Sequence, residues 1–251
     1  MAERVEIQSI PSSDDAIAPR LRGRVLVITG AGVSAESGVP TFRGAGGLWR
    51  NLDPARLATP EAFERDPALV WAWYAERRQG IRAAQPNPAH RAVATLAQIS
   101  RDHLVVTQNV DDLHERGGSP SDHLVHVHGD IFLTRCTRCP YSTRADIAVD
   151  PLPRCPRCEA LCRPGVVWFG EALEAAPLAR VERFLARPVD LVLLVGTTAV
   201  FGYIVEWATR SGLLVEINPE ETAASDRADH VVRAPAGEAL PRLLALPYER
   251  A

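Results

Sequence analysis

Five short apolar runs set the strongest constraint on how this 251-residue chain folds. Each run is rich in Val, Ile or Leu, and together they occupy residues 25–28, 104–106, 191–195, 213–217 and 230–232. Longer stretches with helical spacing lie between them, at residues 60–83, 88–99 and 178–185. Buried strands that alternate with helices are typical of a doubly wound parallel sheet. The sequence therefore predicts an α/β, Rossmann-like fold.

Small and amide-bearing residues follow four of these runs. The segments are Thr29-Gly30-Ala31-Gly32, Thr107-Gln108-Asn109, Gly196-Thr197-Thr198 and Asn218-Pro219-Glu220. Open α/β sheets bind their ligands at the carboxyl ends of the strands, so we expect a ligand site there. The alternative is a set of ordinary surface turns, because polar turn residues commonly follow strands.

Composition and the first residues argue against several broad classes of protein. The formal net charge is −3, so no basic field favours nucleic acid or an anionic membrane. No apolar run approaches the ~20 residues that a membrane helix needs. Residues 1–20 are largely polar and lack the basic start and apolar core of a signal peptide, and they are expected to form a flexible tail. The cytoplasm is the expected location, and thiols stay reduced there.

The spacing of four cysteines indicates a metal site. The pairs Cys136-x2-Cys139 and Cys155-x2-Cys158 are fifteen residues apart, which is the spacing of a zinc ribbon. Four thiolates leave no position open for water, so one structural zinc ion is expected per chain. A set of unrelated buried cysteines is the alternative. Cys162 is expected to be a free, partly buried thiol.

The first glycine loop fits a dinucleotide-binding pattern. Residues 30–35 read GAGVSA after a strand, which matches G-x-G-x-x-G/A. Glycines there allow a tight turn and close approach to a pyrophosphate. The next run begins only at residue 104, so no acidic residue follows at the spacing of a simple dehydrogenase. The intervening segment suggests a mobile loop that closes over a ligand, or else an ordinary surface loop.

Three ordered motifs make the chain resemble the sirtuin family. Residues 30–43 read GAGVSAESGVPTFR, residues 107–114 read TQNVDDLH, and residues 126–129 read HVHG. With the cysteines, the resemblance extends from residue 24 to the C-terminus. It implies an NAD-dependent protein-lysine deacylase, acting on acetyl-lysine and also on succinyl- or malonyl-lysine. The implied products are free lysine, nicotinamide and O-acyl-ADP-ribose.

The resemblance also implies a division of the chain. Residues 21–134 and 164–251 are expected to form the NAD-binding domain, and residues 135–163 the zinc-binding module. Part of residues 45–85 is expected to form a helical excursion. No oligomer is predicted, and neither nucleic acid nor a membrane is an expected partner.

Site residues carry over from the family by position. His128 is expected to be the base that takes a proton from a ribose hydroxyl, a task that suits neutral imidazole near pH 7. Asn109, Asp111 and Arg43 complete the expected catalytic set. For Asn109 and Asp111, turn capping is the alternative. The expected cofactor-binding residues are Gly30, Ala31, Gly32, Ala35, Phe42, Arg43, Trp49, Gln108, Asn109, Val110, Asp111, Gly196, Thr197, Thr198, Asn218, Pro219, Glu220 and Ala236.

The expected substrate-binding residues are Tyr74, Arg77, Val167, Phe169 and Gly170. Tyr74 and Arg77 share one helix face and resemble the Tyr-x-x-Arg pattern of sirtuins that prefer acidic acyl groups. Guanidinium pairs well with a distal carboxylate. The alternative is an exposed Arg beside a half-buried Tyr on an amphipathic helix.

Two segments depart from the family pattern. Gly165 stands where many relatives have His or Asn, and residues 201–203 read FGY where many relatives end in Val-Tyr-Pro. Phe201 and Tyr203 are expected to narrow the substrate groove. Acyl-lysine proteins or peptides are the expected substrates. Other functions left open are ADP-ribosyl transfer, NAD hydrolysis, and a non-enzymatic module that binds NAD or carries a zinc ribbon.

Overall fold

The computed structural model describes residues 14–42, 47 and 53–245. Its strands are β1 Arg24–Thr29, β2 Asp102–Thr107, β3 Leu124–His126, β4 Gly129–Cys136, β5 Ser142–Thr143, β6 Cys162–Val166, β7 Leu191–Val195, β8 Leu213–Ile217 and β9 His230–Val232. Its α-helices are α1 Asp14–Leu21, α2 Gly32–Ala35, α3 Pro54–Leu57, α4 Pro60–Arg65, α5 Pro67–Ala83, α6 Pro88–Ala94, α7 Leu96–Ile99, α8 Leu113–Arg116, α9 Ala175–Leu185, α10 Gly202–Thr209 and α11 Ala236–Ala245.

A six-stranded parallel sheet forms the larger lobe. The strand order is β3-β2-β1-β7-β8-β9, and all five pairings are parallel. The order changes direction between β1 and β7, which is the position where doubly wound sheets bind ligands. Thr29 lies opposite Thr107 on one side and Val195 on the other, so these three strands end together. The predicted fold class is confirmed, and the short edge strand β3 is an addition to the five predicted runs.

Apolar side chains cover both faces of this sheet. One face packs against residues of α1, α6 and α11, and the other packs against α9 and α10. Every residue of β1 and β7 is buried, as their continuous runs of Val, Leu and Ile require. Within the described part of the chain, no helix combines the length and apolar character needed to cross a bilayer.

Two of the predicted helical stretches are each divided. The stretch 60–83 breaks at Asp66, whose side chain accepts a hydrogen bond from Leu69 N at 2.9 Å and so caps α5. Pro67 then takes the first helical position, where its missing N–H costs nothing. The stretch 88–99 divides at Thr95 into α6 and α7.

The prediction of a flexible tail over residues 1–20 is wrong for residues 14–20. Residues 14–20 belong to α1, which buries Ile17 at 2% exposure and Leu21 at 0%. Both side chains join the core on one face of the large sheet, and that burial holds the helix in place.

A three-stranded antiparallel sheet, ordered β5-β4-β6, forms the centre of a smaller lobe. Helices α4 and α5 pack against it through a shared apolar core that includes Phe63, Trp71 and Ile131. β4 and β6 approach closely, because a Cβ on Gly129 would lie 2.3 Å from Gly165 O. A Cβ on Gly165 would in turn lie 2.5 Å from Leu133 Cβ. Gly165 is therefore a packing residue between β4 and β6.

Candidate active site

A cavity of about 610 Å³ lies between the carboxyl edge of the large sheet and the smaller lobe. The loops after β1, β2, β7 and β8 contribute one wall. Helix α5 and the segment after β6 contribute the other. The four strand ends that were predicted to form a ligand site therefore meet in one cavity.

Most of the predicted site residues line this cavity. Asp111 lies in a small adjoining pocket, which it shares with Asn109 and Val110. Arg43 and Trp49 lie outside the described residues. The predicted residues on the main cavity wall are Gly30, Ala31, Gly32, Ala35, Phe42, Tyr74, Arg77, Gln108, Asn109, Val110, His128, Val167, Phe169, Gly170, Gly196, Thr197, Thr198, Asn218, Pro219, Glu220 and Ala236.

Three glycines let the loops after β1 and β7 pack backbone against backbone. A Cβ on Gly30 would lie 2.7 Å from Thr197 Cβ, and one on Gly32 would lie 2.7 Å from Gly196 Cα. Gly196 has a φ of +59°, and a Cβ there would lie 2.5 Å from Val33 N. Any side chain at these positions would force the loops apart. This close packing keeps the main chain accessible to a phosphate group.

Asn109 and Asp111 are held by a buried network rather than by turn capping alone. Asn109 Nδ2 donates to Gly30 O and to Ser34 Oγ, each at 3.1 Å. Ser34 Oγ donates to Asp111 Oδ2 at 3.0 Å, and Leu113 N donates to Asp111 Oδ1 at 3.1 Å. Burial raises the pKa of the Asp111 carboxyl above its ordinary value. The network joins the glycine loop to the loop after β2.

Side-chain amides connect the remaining loops. Gln108 Nε2 donates to Thr197 Oγ1 at 2.9 Å, and Asn218 Nδ2 donates to Thr197 O at 3.0 Å. The loops after β2, β7 and β8 are thereby tied together. Asn218 and Gln108 both line the cavity, so the same residues order the loops and face the ligand space.

His128 is held through both ring nitrogens. Nδ1 lies 3.0 Å from Gln108 O, and Nε2 lies 2.6 Å from the hydroxyl of Tyr203. Phe201 packs edge-on against the imidazole, with ring centroids 5.5 Å apart. Sequence reasoning placed Phe201 and Tyr203 in the substrate groove, and both line the cavity. The contact between Tyr203 and His128 was not anticipated, because the two residues are 75 positions apart.

His126 turns away from His128 and pairs with Glu115. Its Nε2 lies 2.9 Å from Glu115 Oε1, and its Nδ1 lies 3.0 Å from Asn109 O. Burial alone would lower the pKa of His126, but the hydrogen bond to Glu115 and the charge of that carboxylate outweigh burial and raise it. His126 therefore supports the backbone beside Asn109.

Tyr74 and Arg77 meet a group of aromatic rings at the other end of the cavity. The Arg77 guanidinium lies 4.8 Å from the Trp73 ring centroid and 4.9 Å from that of Phe42. Tyr74 is 3% exposed, and its hydroxyl accepts a hydrogen bond from Trp168 Nε1 at 3.0 Å. Burial lowers the pKa of the Arg77 guanidinium.

The sequence analysis did not predict the buried ion pair between Glu216 and Arg233. Glu216 is 1% exposed in β8, and Arg233 Nη1 lies 2.5 Å from its Oε1. Arg233 Nη1 also donates to Asn218 O at 3.3 Å and to Glu220 O at 3.1 Å. The signal was a carboxylate inside the apolar run of residues 213–217, since a buried charge requires a partner. This ion pair shapes the loop after β8.

The four predicted zinc ligands converge in the smaller lobe. The Sγ atoms of Cys136, Cys139, Cys155 and Cys158 all lie within 4.8 Å of one another. Two of the Sγ–Sγ distances are 3.5 Å, too long for a disulfide bond and close to the ~3.8 Å edge of a tetrahedron with Zn–S bonds of about 2.3 Å. The cluster fits a structural zinc ion.

Cys162 lies beside this cluster but is not part of the ligand set. It is 1% exposed, so it is more deeply buried than expected. Burial raises the pKa of its thiol to about 11.

Related sequences agree with this geometry. The model of the Sir2 family matches residues 30–201. NAD-dependent protein deacylase 1 of Archaeoglobus fulgidus is 46% identical over 228 residues, covering 88% of this chain and 91% of that protein. NAD-dependent protein deacylase sirtuin-5, mitochondrial, of Danio rerio is 43% identical over 252 residues, covering 88% of this chain and 82% of that protein.

Solved structures extend the agreement to three dimensions. A Sir2 homologue in complex with NAD has a TM-score of 0.84 at 42% identity, over 95% of this chain and 93% of that chain. A mutant Sir2 homologue in complex with ADP-ribose has a TM-score of 0.87 at 41% identity, over 95% and 96%. The expected family and NAD dependence are confirmed. The chain therefore belongs to the Sir2 family and is an enzyme of the NAD-dependent protein deacylase type.

Proposed function

We propose that this deacylase prefers lysines that carry an acidic acyl group, such as succinyl or malonyl. The observation that carries the proposal is the environment of Arg77. Its guanidinium faces the cavity and is surrounded by aromatic rings. Among the residues that the structure describes, Arg77 forms no ion pair, and the charge of Asp111 acts on it only from a greater distance.

An acidic acyl group would supply a directly paired anion, which Arg77 lacks among the described residues. A cation in an apolar setting is destabilised until an anion approaches, and a guanidinium binds a carboxylate through two parallel hydrogen bonds. The Tyr74 hydroxyl accepts from Trp168, so its own proton remains to donate to the same carboxylate. A neutral acetyl group makes neither interaction.

We propose that NAD binds along the sheet edge, with its adenosine half near Asn218 and Ala236. Its nicotinamide half would then lie near Asn109 and Asp111. When bound, NAD supplies a nicotinamide leaving group and the ribose that takes the acyl group from lysine. The buried Ser34 network would keep Asn109 oriented, and Phe42 would cover the cavity on the side of the acyl pocket. His128 would act as the base for a ribose hydroxyl and would accept the proton at Nε2, because Nδ1 donates to Gln108 O.

The substrate peptide is proposed to lie along residues 167–170. Val167 N donates to His128 O at 2.8 Å, Phe169 N donates to Ala58 O at 3.0 Å, and Trp168 N donates to Glu171 Oε2 at 2.8 Å. Since these N–H groups are bonded within the chain, a peptide would pair with the carbonyl groups of the segment. Such pairing accepts many peptide sequences.

We also propose a cytoplasmic location and a zinc module centred on residues 135–163. Four of the five cysteines are arranged to bind a metal ion, which is the use of clustered thiols expected in a reducing compartment. Strands β4 and β6 extend the antiparallel sheet beyond both limits of the module.

The role of His128 is tested with His128→Ala. A general base contributes on the order of 10²–10⁴-fold, so deacylation should fall by that factor while zinc content and melting temperature stay unchanged. His230→Gln is the matched control, because His230 lies on β9 outside the cavity. Mass spectrometry of the products also detects ADP-ribose transfer or NAD hydrolysis. Wild-type turnover by His128→Ala would refute the role.

Acyl preference is tested with Arg77→Met and Tyr74→Phe. One peptide is prepared in acetyl-lysine and succinyl-lysine forms, and kcat/KM is measured for both. A charged hydrogen bond contributes roughly 1.5–3 kcal/mol, so Arg77→Met should lower desuccinylation about tenfold or more relative to deacetylation. Tyr74→Phe should act in the same direction more weakly. Arg82→Met is the control and should change neither activity, because Arg82 lies on the same helix but outside the cavity. An equal loss of both activities in Arg77→Met would show that Arg77 is a structural residue.

A further inference from the structure

We propose that Tyr203 relays a proton from a ribose hydroxyl to His128. The proposal deepens the function above and rests on the role of His128 as the base. It starts from the 2.6 Å contact between the Tyr203 hydroxyl and His128 Nε2. Tyr203 and His128 both line the cavity that is proposed to bind the cofactor, so a ribose hydroxyl in that cavity could approach the phenol.

The hydrogen bonds of His128 determine which nitrogen carries the proton. Gln108 O is a carbonyl oxygen and only accepts, so Nδ1 of the neutral ring must donate to it. Nε2 then has a lone pair and accepts from Tyr203. Burial raises the pKa of Tyr203 to about 12, so the phenol keeps its proton near pH 7 and acts as a donor.

The Tyr203 hydroxyl is therefore hydrogen-bonded to Nε2, the same atom that must receive the proton. The neutral imidazole has one lone pair at Nε2, and a ribose hydroxyl cannot use it while the phenol does. Aromatic packing holds the phenol in this place. Its ring stacks on Phe201 at 5.6 Å with an angle of 17°, and it lies 5.0 Å from the buried ring of Trp207.

A relay resolves this competition without moving the ring. Tyr203 Oη gives its proton to His128 Nε2 and takes one proton from the ribose hydroxyl. The phenol is neutral before and after the step, the imidazole becomes imidazolium, and the ribose oxygen holds the negative charge as it attacks. The high pKa of the phenol favours concerted transfer of the two protons over a free phenolate.

The first test needs no cofactor. In protein labelled with ¹⁵N-histidine, NMR spectra should place the His128 proton on Nδ1, with Nε2 unprotonated. Tyr203→Phe removes one oxygen and should move the Nε2 resonance while Nδ1 stays protonated. Tyr141→Phe is the matched control, because Tyr141 lies beside the cysteine cluster outside the cavity. A proton on Nε2, or an Nε2 resonance that is unchanged in Tyr203→Phe, would overturn the proposal.

The second test separates two steps of the reaction. In the proposed reaction nicotinamide leaves before the base acts, so exchange of labelled nicotinamide into NAD should persist in Tyr203→Phe. Product formation should fall on the order of 10²-fold, as in His128→Ala. Unchanged or faster deacylation in Tyr203→Phe would mean that Nε2 takes the proton directly. Equal loss of exchange and deacylation would mean that Tyr203 only positions the cofactor.

These outcomes are distinct from failure of the proposed function. If His128→Ala deacylates at the wild-type rate, the base is misassigned and the relay falls with it. If His128→Ala is inactive and Tyr203→Phe is fully active, the relay alone is wrong. The melting temperature of Tyr203→Phe, compared with that of Tyr141→Phe, verifies that both proteins are folded.

Discussion

Replacing Arg233 with Met should loosen the loop after β8 and weaken NAD binding. Glu216, at 1% exposure, accepts hydrogen bonds from Arg233, Ser225 and Thr222. Arg233 also bonds to the carbonyl groups of Asn218 and Glu220. The substitution therefore leaves a buried carboxylate without its cation and frees two carbonyl groups beside the cavity.

The expected loss of stability follows from the exposure of the pair. Breaking a buried ion pair by removing one partner costs about 3–5 kcal/mol. The Arg233 side chain is 30% exposed and two hydroxyl donors remain, so we expect about 2–3 kcal/mol. In a chain of this size that corresponds to a drop of about 5–10 °C in melting temperature. If ordering the loop again costs about 1.4 kcal/mol, the KM for NAD rises about tenfold.

Thermal unfolding and steady-state kinetics with varied NAD measure both effects. The double variant Glu216→Gln with Arg233→Met should recover part of the stability, because it removes the uncompensated charge. Arg227→Met is the control, since Arg227 is exposed in the same loop. An Arg233→Met protein with an unchanged melting temperature and an unchanged KM for NAD would refute this account of the loop.

Two further predictions concern zinc and pH. Cys136→Ser should lose zinc, and its smaller lobe should unfold at a lower temperature. Cys162→Ser should keep one zinc per chain by elemental analysis. Zinc loss in Cys162→Ser but not in Cys136→Ser would contradict the ligand set. The folded-state pKa of His126 is raised above 6.5, so its pairing with Glu115 stabilises the fold fully below about pH 6.5 and is lost as pH rises through the folded pKa. Glu115→Gln should lower the His126 pKa measured by NMR and flatten this pH dependence; an unchanged His126 titration would show that the pair is not coupled.

The sequence by itself determined the parts of this protein that depend on local pattern. Short continuous runs of Val, Leu and Ile bounded by turn residues favour buried strands of a covered sheet, and the strands at residues 191–195 and 213–217 lie where those runs predicted them. The cysteine spacing likewise predicted the metal cluster. The glycines at 30 and 32 predicted a close approach, because no other residue permits one.

Two helix boundaries also have local sequence signals that the predicted elements did not use. Asp66 followed by Pro67 is a helix start, and it divides a stretch that was predicted as one helix. Ile17 and Leu21 are one turn apart, which indicates a helix with an apolar face at the end of the expected tail. In both cases the prediction followed the average polarity or helical spacing of the segment and not the individual residues that mark a helix start or an apolar face.

Only the tertiary structure decided which distant side chains meet. The contact of Tyr203 with His128 joins the first turn of α10 to the segment between β3 and β4. The pairing of Glu216 with Arg233 depends on β9 lying next to β8. Spacing along the chain carries no information about such contacts, because they arise when separate elements bury their apolar faces together. The same packing sets the environment of Arg77, whose neighbours come from its own helix and from Phe42.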